Sequence, residues 1–258
     1  MAADASPSVI QTAIRGWQDA FAALSRMPLV FGIAIAALCI LNILTLTLFV
    51  DSADARTFGA EILSFVFGIV QGFLLTPLAI AVHRFVLLDE VSGSYVLNPG
   101  EPRFMRFFLF AVLVQALMLA PSLLMVVSVT TDGTMTAIFG IASVVVFVLV
   151  MIVMVRSLIL FPAIAVDAPG AAWSNALADT KGHSWTVFFT VLVTSIPAVL
   201  IVVPVILIWM DGEPGSGARI VISLVQSLVG ALSLAAFAAM ASHLYAAFGT
   251  RLGRTAGL

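Results

Sequence analysis

The chain is expected to fold as an all-α, polytopic membrane bundle of six transmembrane helices with two amphipathic helices on the cytoplasmic side. Three observations carry that expectation. Of 258 residues, 62% are hydrophobic and 9% charged, whereas soluble domains run nearer half and a quarter. Mean hydropathy is +1.19. Apolar segments of about 20 residues, the length that crosses a bilayer as a helix, recur six times along the chain. A water-soluble protein of this size could not cover its surface with so few charges.

The first element is SPSVIQTAIRGWQDAFAALSRMP, an amphipathic helix over about 7–26, with Ser6 as N-cap and Pro7 as first helical residue. Ile10, Ile14, Trp17, Phe21 and Leu24 follow helical spacing, and Gln11, Arg15, Gln18 and Ser25 take the other face. That pattern suits a helix lying on the inner leaflet with Trp17 at the interface. Spans follow at about 28–50, 62–84, 107–129, 137–158, 186–209 and 220–245. DSADARTFGAE, DEVSGSYVLNPGEPRF, VTTDGTMT and MDGEPGSGAR separate them and read as exposed turns. Ala53-Asp54-Ala55 looks like a cleavage site, but the preceding apolar run is too long for a signal peptide. The first span is therefore expected to stay.

A second amphipathic helix, about 169–182, precedes the fifth span; Pro169 opens it, Trp173, Ala176, Leu177 and Thr180 form its less polar face, and Gly182 ends it. Aligning Trp17 with Trp173 lays the first span over the fifth, and LAIAVHRF over AAMASHLY, with His83 and His243 in corresponding places. This is a weak parallel internal repeat around a central hairpin of spans three and four.

With the N-terminus in the cytoplasm, Arg15, Arg26, Arg84, Arg103, Arg106, Arg156, Lys181, Arg251 and Arg254 fall inside, and Arg56 and Arg219 outside. That asymmetry predicts both termini inside a bacterial inner membrane. Arg156 interrupts the apolar run from Met135 to Val166. Two roles stay open for it: snorkelling to the headgroups at the end of the fourth span, or pairing with a carboxylate such as Asp167 or with a lipid phosphate. LILFPAIAV would then follow the interface, with Pro162 bending the helix. Arg156, Lys181 and Arg26 are the candidate lipid headgroup contacts.

No charge falls at mid-bilayer, which weighs against a proton-coupled transporter or an intramembrane carboxylate enzyme. Asn42, Gln71, Gln115 and Gln226, with Thr45, Thr76, Thr194, Ser195, Ser223 and Ser227, are the polar groups at depth. They read either as interhelical glue or as a polar ligand cavity. Gly68 and Gly72 permit close helix packing, and Pro77, Pro121, Pro197 and Pro204 should kink their spans. His83, His183 and His243 are expected at the cytoplasmic boundary, satisfied by water or headgroups, because their spacing is no metal motif. Cys39 is the sole cysteine, buried and inert, so no intrachain disulfide forms. Phosphate loops, nucleophile elbows and metalloprotease helices are absent from the sequence. No cofactor, metal or nucleic-acid partner is expected.

RSLILFPAIAVDAPGAAWSNALADTKGHSW resembles a pattern in a broad bacterial family of inner-membrane proteins that includes the membrane domain fused to some glycerophosphoryl diester phosphodiesterases. Arg156, Ser157, Pro162, Ala163, Gly182 and Trp185 carry the match, and HRFVLLDE followed by RFMRFF is similar too. Leu177-Ala178 stand where relatives have Ser-Trp. The resemblance implies a six-span bundle connected with lipid or envelope physiology, and no phosphodiesterase domain accompanies it here. The function expected is a non-enzymatic scaffold or lipid-handling protein, with membrane lipids as partners. The alternative is a small transporter or channel for a neutral or weakly polar solute. A homo-oligomer stays open, and no protein partner is identified.

Overall fold

The computed structural model describes residues 7–49, 57–210 and 216–253. Ser6, Asp51, Ala53-Asp54-Ala55, Arg56, Asp211, Glu213 and Arg254 lie outside the described residues. The described chain forms nine helices: α1 Val9–Arg26, α2 Pro28–Phe49, α3 Phe58–Leu88, α4 Pro102–Thr130, α5 Thr134–Ser157, α6 Leu160–Ala165, α7 Trp173–Asp179, α8 Ser184–Met210 and α9 Ser216–Phe248. Six of them, α2, α3, α4, α5, α8 and α9, are long and apolar enough to cross a membrane. The protein is a multi-pass membrane protein.

Helix ends follow local chemistry. The Thr57 hydroxyl accepts from Ala60 N at 3.2 Å and caps α3, and Pro102 sits in the first turn of α4. Asp89 closes α3 with a φ of 52°, and Asp167 has the same φ beyond α6. Aspartate is among the few side chains that tolerate this left-handed turn, and both carboxylates meet arginines there. The α3 helix runs from 58 to 88, four residues past each end of the span expected at 62–84. Hydropathy marks only the hydrocarbon slab, whereas a helix keeps its own hydrogen bonds into the headgroup layer.

The bundle is organised around α9, whose buried face is mostly small residues: Ala231, Ala235, Ala236, Ala238, Ala239 and Ala241 with Ser223, Ser227 and Ser242. Small side chains let α1, α2, α3 and α8 approach this one helix closely. The outer surface is hydrocarbon, with Ile40 67%, Ile141 67% and Leu200 68% exposed. That is tolerable in lipid and would be an aggregation liability in water.

The amphipathic α1 packs lengthwise along α9 and α8, with Thr12, Ala13, Gly16, Ala20 and Ala23 as its buried face. Ile10, Ile14 and Phe21 are exposed. Trp17, expected at the interface, instead donates from Nε1 to the carbonyl of Thr194 at 3.0 Å, ten residues into α8 (184 to 194). A stripe of small residues permits the close helix contact, and the large apolar residues are left for lipid. The helix starts at Val9 with Ser8 before it, later than the expected Pro7.

The segment after Arg156 differs from expectation. α5 stops at Ser157, and α6 is wedged between α3, α4 and α9 with Leu160, Pro162, Ala163, Ile164 and Ala165 buried. It closes the bundle end and does not follow the interface, because its apolar surface finds protein partners. α7 begins at Trp173, not Pro169: residues 168–172 form a turn in which Gly170 N donates to Leu252 O at 3.1 Å. The order helix, span, span recurs at α1–α3 and α7–α9, but the packing does not. α1 has 18 residues and joins α9 and α8, whereas α7 has 7 and joins α5.

Candidate functional site

Arg26, Arg84, Arg103, Arg156 and Arg251 gather at one end of the bundle, here the charged end, and most are already engaged. Arg26 Nη1 lies 3.2 Å from Asp89 Oδ1. Arg84 grips Glu90 bidentately at 2.6 and 2.7 Å, and its Nη1 reaches the Ala165 carbonyl at 3.1 Å, capping α6. This grip holds the Glu90 carboxyl below its usual range. Arg103 lies 2.9 Å from Asp167 and 3.1 Å from Glu101. The loop after α3 is pinned where the Tyr95 hydroxyl donates to Leu74 O, and burial pushes that phenol up to about 12.

Asp167 therefore pairs with Arg103 and Arg84, not with Arg156. The Arg156 guanidinium donates to the Leu177 carbonyl, and the Thr180 hydroxyl sits between two carbonyls, Ala176 O at 2.8 Å and Arg156 O at 3.0 Å. Of the three candidate headgroup contacts, Arg156 thus joins α5 to α7, Arg26 faces Asp89, and Lys181 is exposed. They share no site.

The histidines, expected to be satisfied by water or headgroups, have protein partners. His243 Nε2 lies 2.6 Å from Asp19 Oδ2 and ties α9 to α1. His183 stacks on Phe248 at 4.4 Å. His83 is 2% exposed, with Nδ1 2.8 Å from Ser242 Oγ on α9. Close α3–α9 packing over small residues brings the two helices together at that level. No group of three His, Cys, Asp or Glu side chains among the described residues is placed to hold a metal ion.

The amides divide in the same way. Asn42 Nδ2 donates to Ser227 Oγ at 3.0 Å, and that hydroxyl donates on to Ser223 O; this is glue between α2 and α9. Gln226 is half-buried on α9 and does not line the cavity described next. Gln71 and Gln115 come together on the wall of a cavity of about 430 Å³ between α3, α4, α5, α6 and α9. Such a volume falls within the ~300–1,000 Å³ of small-molecule sites.

This cavity is the candidate site. It exists because α4 and α5 lean on α3 and α8 rather than on α9. α6 closes the charged end, where Phe161 packs on Phe107 and Phe110 at 5.1 and 4.6 Å. The wall runs along α3 from Gly68 to His83, about 22 Å at 1.5 Å per residue. Leu75, Ala79, Ala111, Val114, Met118, Met154, Leu158, Leu234 and Phe237 make it apolar. Its polar side chains are Gln71, Gln115, Thr76 and His83, and no Asp, Glu, Lys or Arg lines it. Thr76 donates internally to Gly72 O at 2.8 Å, beside the Pro77 kink. Sequence reasoning singled out the two glutamines but not His83 as a cavity group. The available signal was the small-residue register of LAIAVHRF against AAMASHLY, which predicts close α3–α9 contact.

No family model, curated protein or solved structure matches the chain.

Proposed function

We propose that the protein is a non-enzymatic inner-membrane protein that holds a lipid-like molecule in the α3–α4–α5–α9 cavity. One observation carries this reading: a long cavity at bilayer depth whose wall is apolar and carries no charge. Unfilled apolar space costs packing energy, and the surrounding bilayer offers chains of matching chemistry at high concentration. Carboxylates offset the charge of Arg26, Arg84 and Arg103 toward anionic headgroups, whereas Arg156 keeps its charge beside the neutral Leu177 carbonyl. Of the three candidate headgroup contacts, Lys181 is exposed and Arg26 is exposed beside Asp89. The resemblance to membrane domains connected with lipid physiology agrees with this reading.

The test is native mass spectrometry of protein extracted gently into detergent. A retained lipid supports the reading, and a bare protein opposes it. A second reading, passage of a neutral, weakly polar solute, is favoured by Gln71 and Gln115 on the cavity wall, which a purely apolar guest would not use. Uptake of such a solute into proteoliposomes, lost on Gln115→Leu, would support it. The charged end is assigned to the cytoplasm by its arginines. A single cysteine at position 98 should therefore label from the inner side only.

A further inference from the structure

We propose that the guest of the cavity is an uncharged lipid whose hydroxyl group donates a hydrogen bond to Nε2 of His83. This rests on the lipid-handling reading above and specifies the headgroup.

His83 is 2% exposed, yet it lines the cavity. The ring is fixed on two sides, by Ser242 at 2.8 Å and by Phe107, whose centroid lies 5.8 Å away. The direction of the Ser242 bond follows from the rest of the network. Ser242 Oγ is 2.9 Å from the Ala238 carbonyl, which can only accept, so the serine proton is committed there. The hydrogen in the bond between the two side chains therefore belongs to Nδ1. In the uncharged ring the second nitrogen is then an acceptor. Among the described residues Nε2 has no hydrogen-bond partner of its own. Nε2 is not sealed among side chains; it opens on the cavity, where an acceptor on a mostly apolar wall can take a donor from the guest.

The surroundings define what brings that donor. The wall carries no charged side chain, so a phosphate or carboxylate would be buried without a counter-charge. Arg84, next in sequence to His83, points its guanidinium at Glu90 and the Ala165 carbonyl, away from such a role. An alcohol meets both conditions: it carries a donor and no charge. The stretch from Ala79 to Gly68, apolar apart from Thr76, Gln71 and Gln115, takes the attached chain.

Oleyl alcohol and oleyl methyl ether share one chain and differ in the donor. Each is added at equal concentration to the full chain in detergent, and occupancy is read by native mass spectrometry, with sodium oleate as the charged analogue. The alcohol should exceed the ether by about fivefold to tenfold, the size of one net hydrogen bond, and oleate should bind no better than the ether. In His83→Phe the preference should fall to about unity. The wild-type comparison stands even if that variant misfolds. Equal binding of alcohol and ether, or oleate binding as well as the alcohol, overturns the headgroup assignment while leaving the cavity reading intact. A preference that survives in folded His83→Phe overturns the role of His83. Failure of all three to bind overturns the cavity reading itself.

Discussion

The side-chain amide of Gln115 on α4 occupies the space that a side chain on Gly68 of α3 would need: a Cβ built there falls 1.7 Å from Nε2 and 2.8 Å from Cδ. Any larger side chain at 68 must push aside the terminal amide of Gln115, the far end of a flexible side chain. Gly68→Ala should swing the amide off its seat and lower stability by about 1 kcal/mol or less. Gln115→Ala should recover most of that loss in the double variant, since the two effects share one cause. Thermal unfolding of the four proteins in one detergent checks this.

The seam between α1 and α9 is tighter, because its obstacle is backbone. A Cβ at Gly16 would meet Ala236 O at 2.9 Å and Met240 Cβ at 3.0 Å. Gly16→Val should lift α1 from α9, raising hydrogen exchange across Val9–Arg26 while α2 through α9 keep their protection. Gly32 on α2 has nothing within 4 Å of its would-be Cβ. Gly32→Ala should therefore be neutral or stabilising by up to about 1 kcal/mol, from helix propensity alone.

Asp179 at the end of α7 holds the segment that follows α9. Its carboxylate accepts from Arg251 N at 2.9 Å, Leu252 N at 3.0 Å and Thr250 Oγ1 at 3.1 Å. Asparagine keeps one acceptor oxygen and loses the charge, so Asp179→Asn should weaken this latch by about 1–3 kcal/mol. Exchange at the amides of Arg251 and Leu252 should speed up at least about tenfold, with α3 and α9 unchanged.

The Arg84–Glu90 pair has a defined pH dependence. Hydrogen bonding to Arg84 lowers the Glu90 carboxyl from its ordinary 4.5. A depressed carboxylate contributes stability above its unfolded value and loses it as pH falls through the folded one. The difference in melting temperature between wild type and Glu90→Gln should be constant from neutral pH down to about 5 and shrink below 4.5. A difference that grows on acidification would contradict the pairing.

Much of this fold is legible in sequence, and the reason is physical. Bilayer thickness imposes span length, so α2 through α5, α8 and α9 announce themselves by hydropathy. Packing inside the bundle is read less well, because lipid and protein interiors are equally apolar. In α1 the helical spacing of Ile10, Ile14 and Phe21 marks the face left to lipid, and Gly16, Ala20 and Ala23 mark the seam. Both roles for Arg156, snorkelling or pairing, stay open in sequence because the Leu177 carbonyl it meets is 21 residues away. Of four amides at depth, Gln71 and Gln115 meet at the cavity, while Asn42 serves as glue. That outcome depends on helix azimuth, which hydropathy does not encode.

The central claim is that the cavity holds a lipid-like guest, and Gly72 offers the most direct test. It lines the cavity, and a Cβ there meets nothing within 4 Å, so Gly72→Leu introduces a side chain at the cavity with no clash at its Cβ. Native mass spectrometry of wild type and Gly72→Leu, extracted identically, is the measurement. The account predicts a retained lipid on the wild type and its loss from a variant at least as heat-stable. Equal retention by the two folded proteins would place the lipid elsewhere and contradict the account.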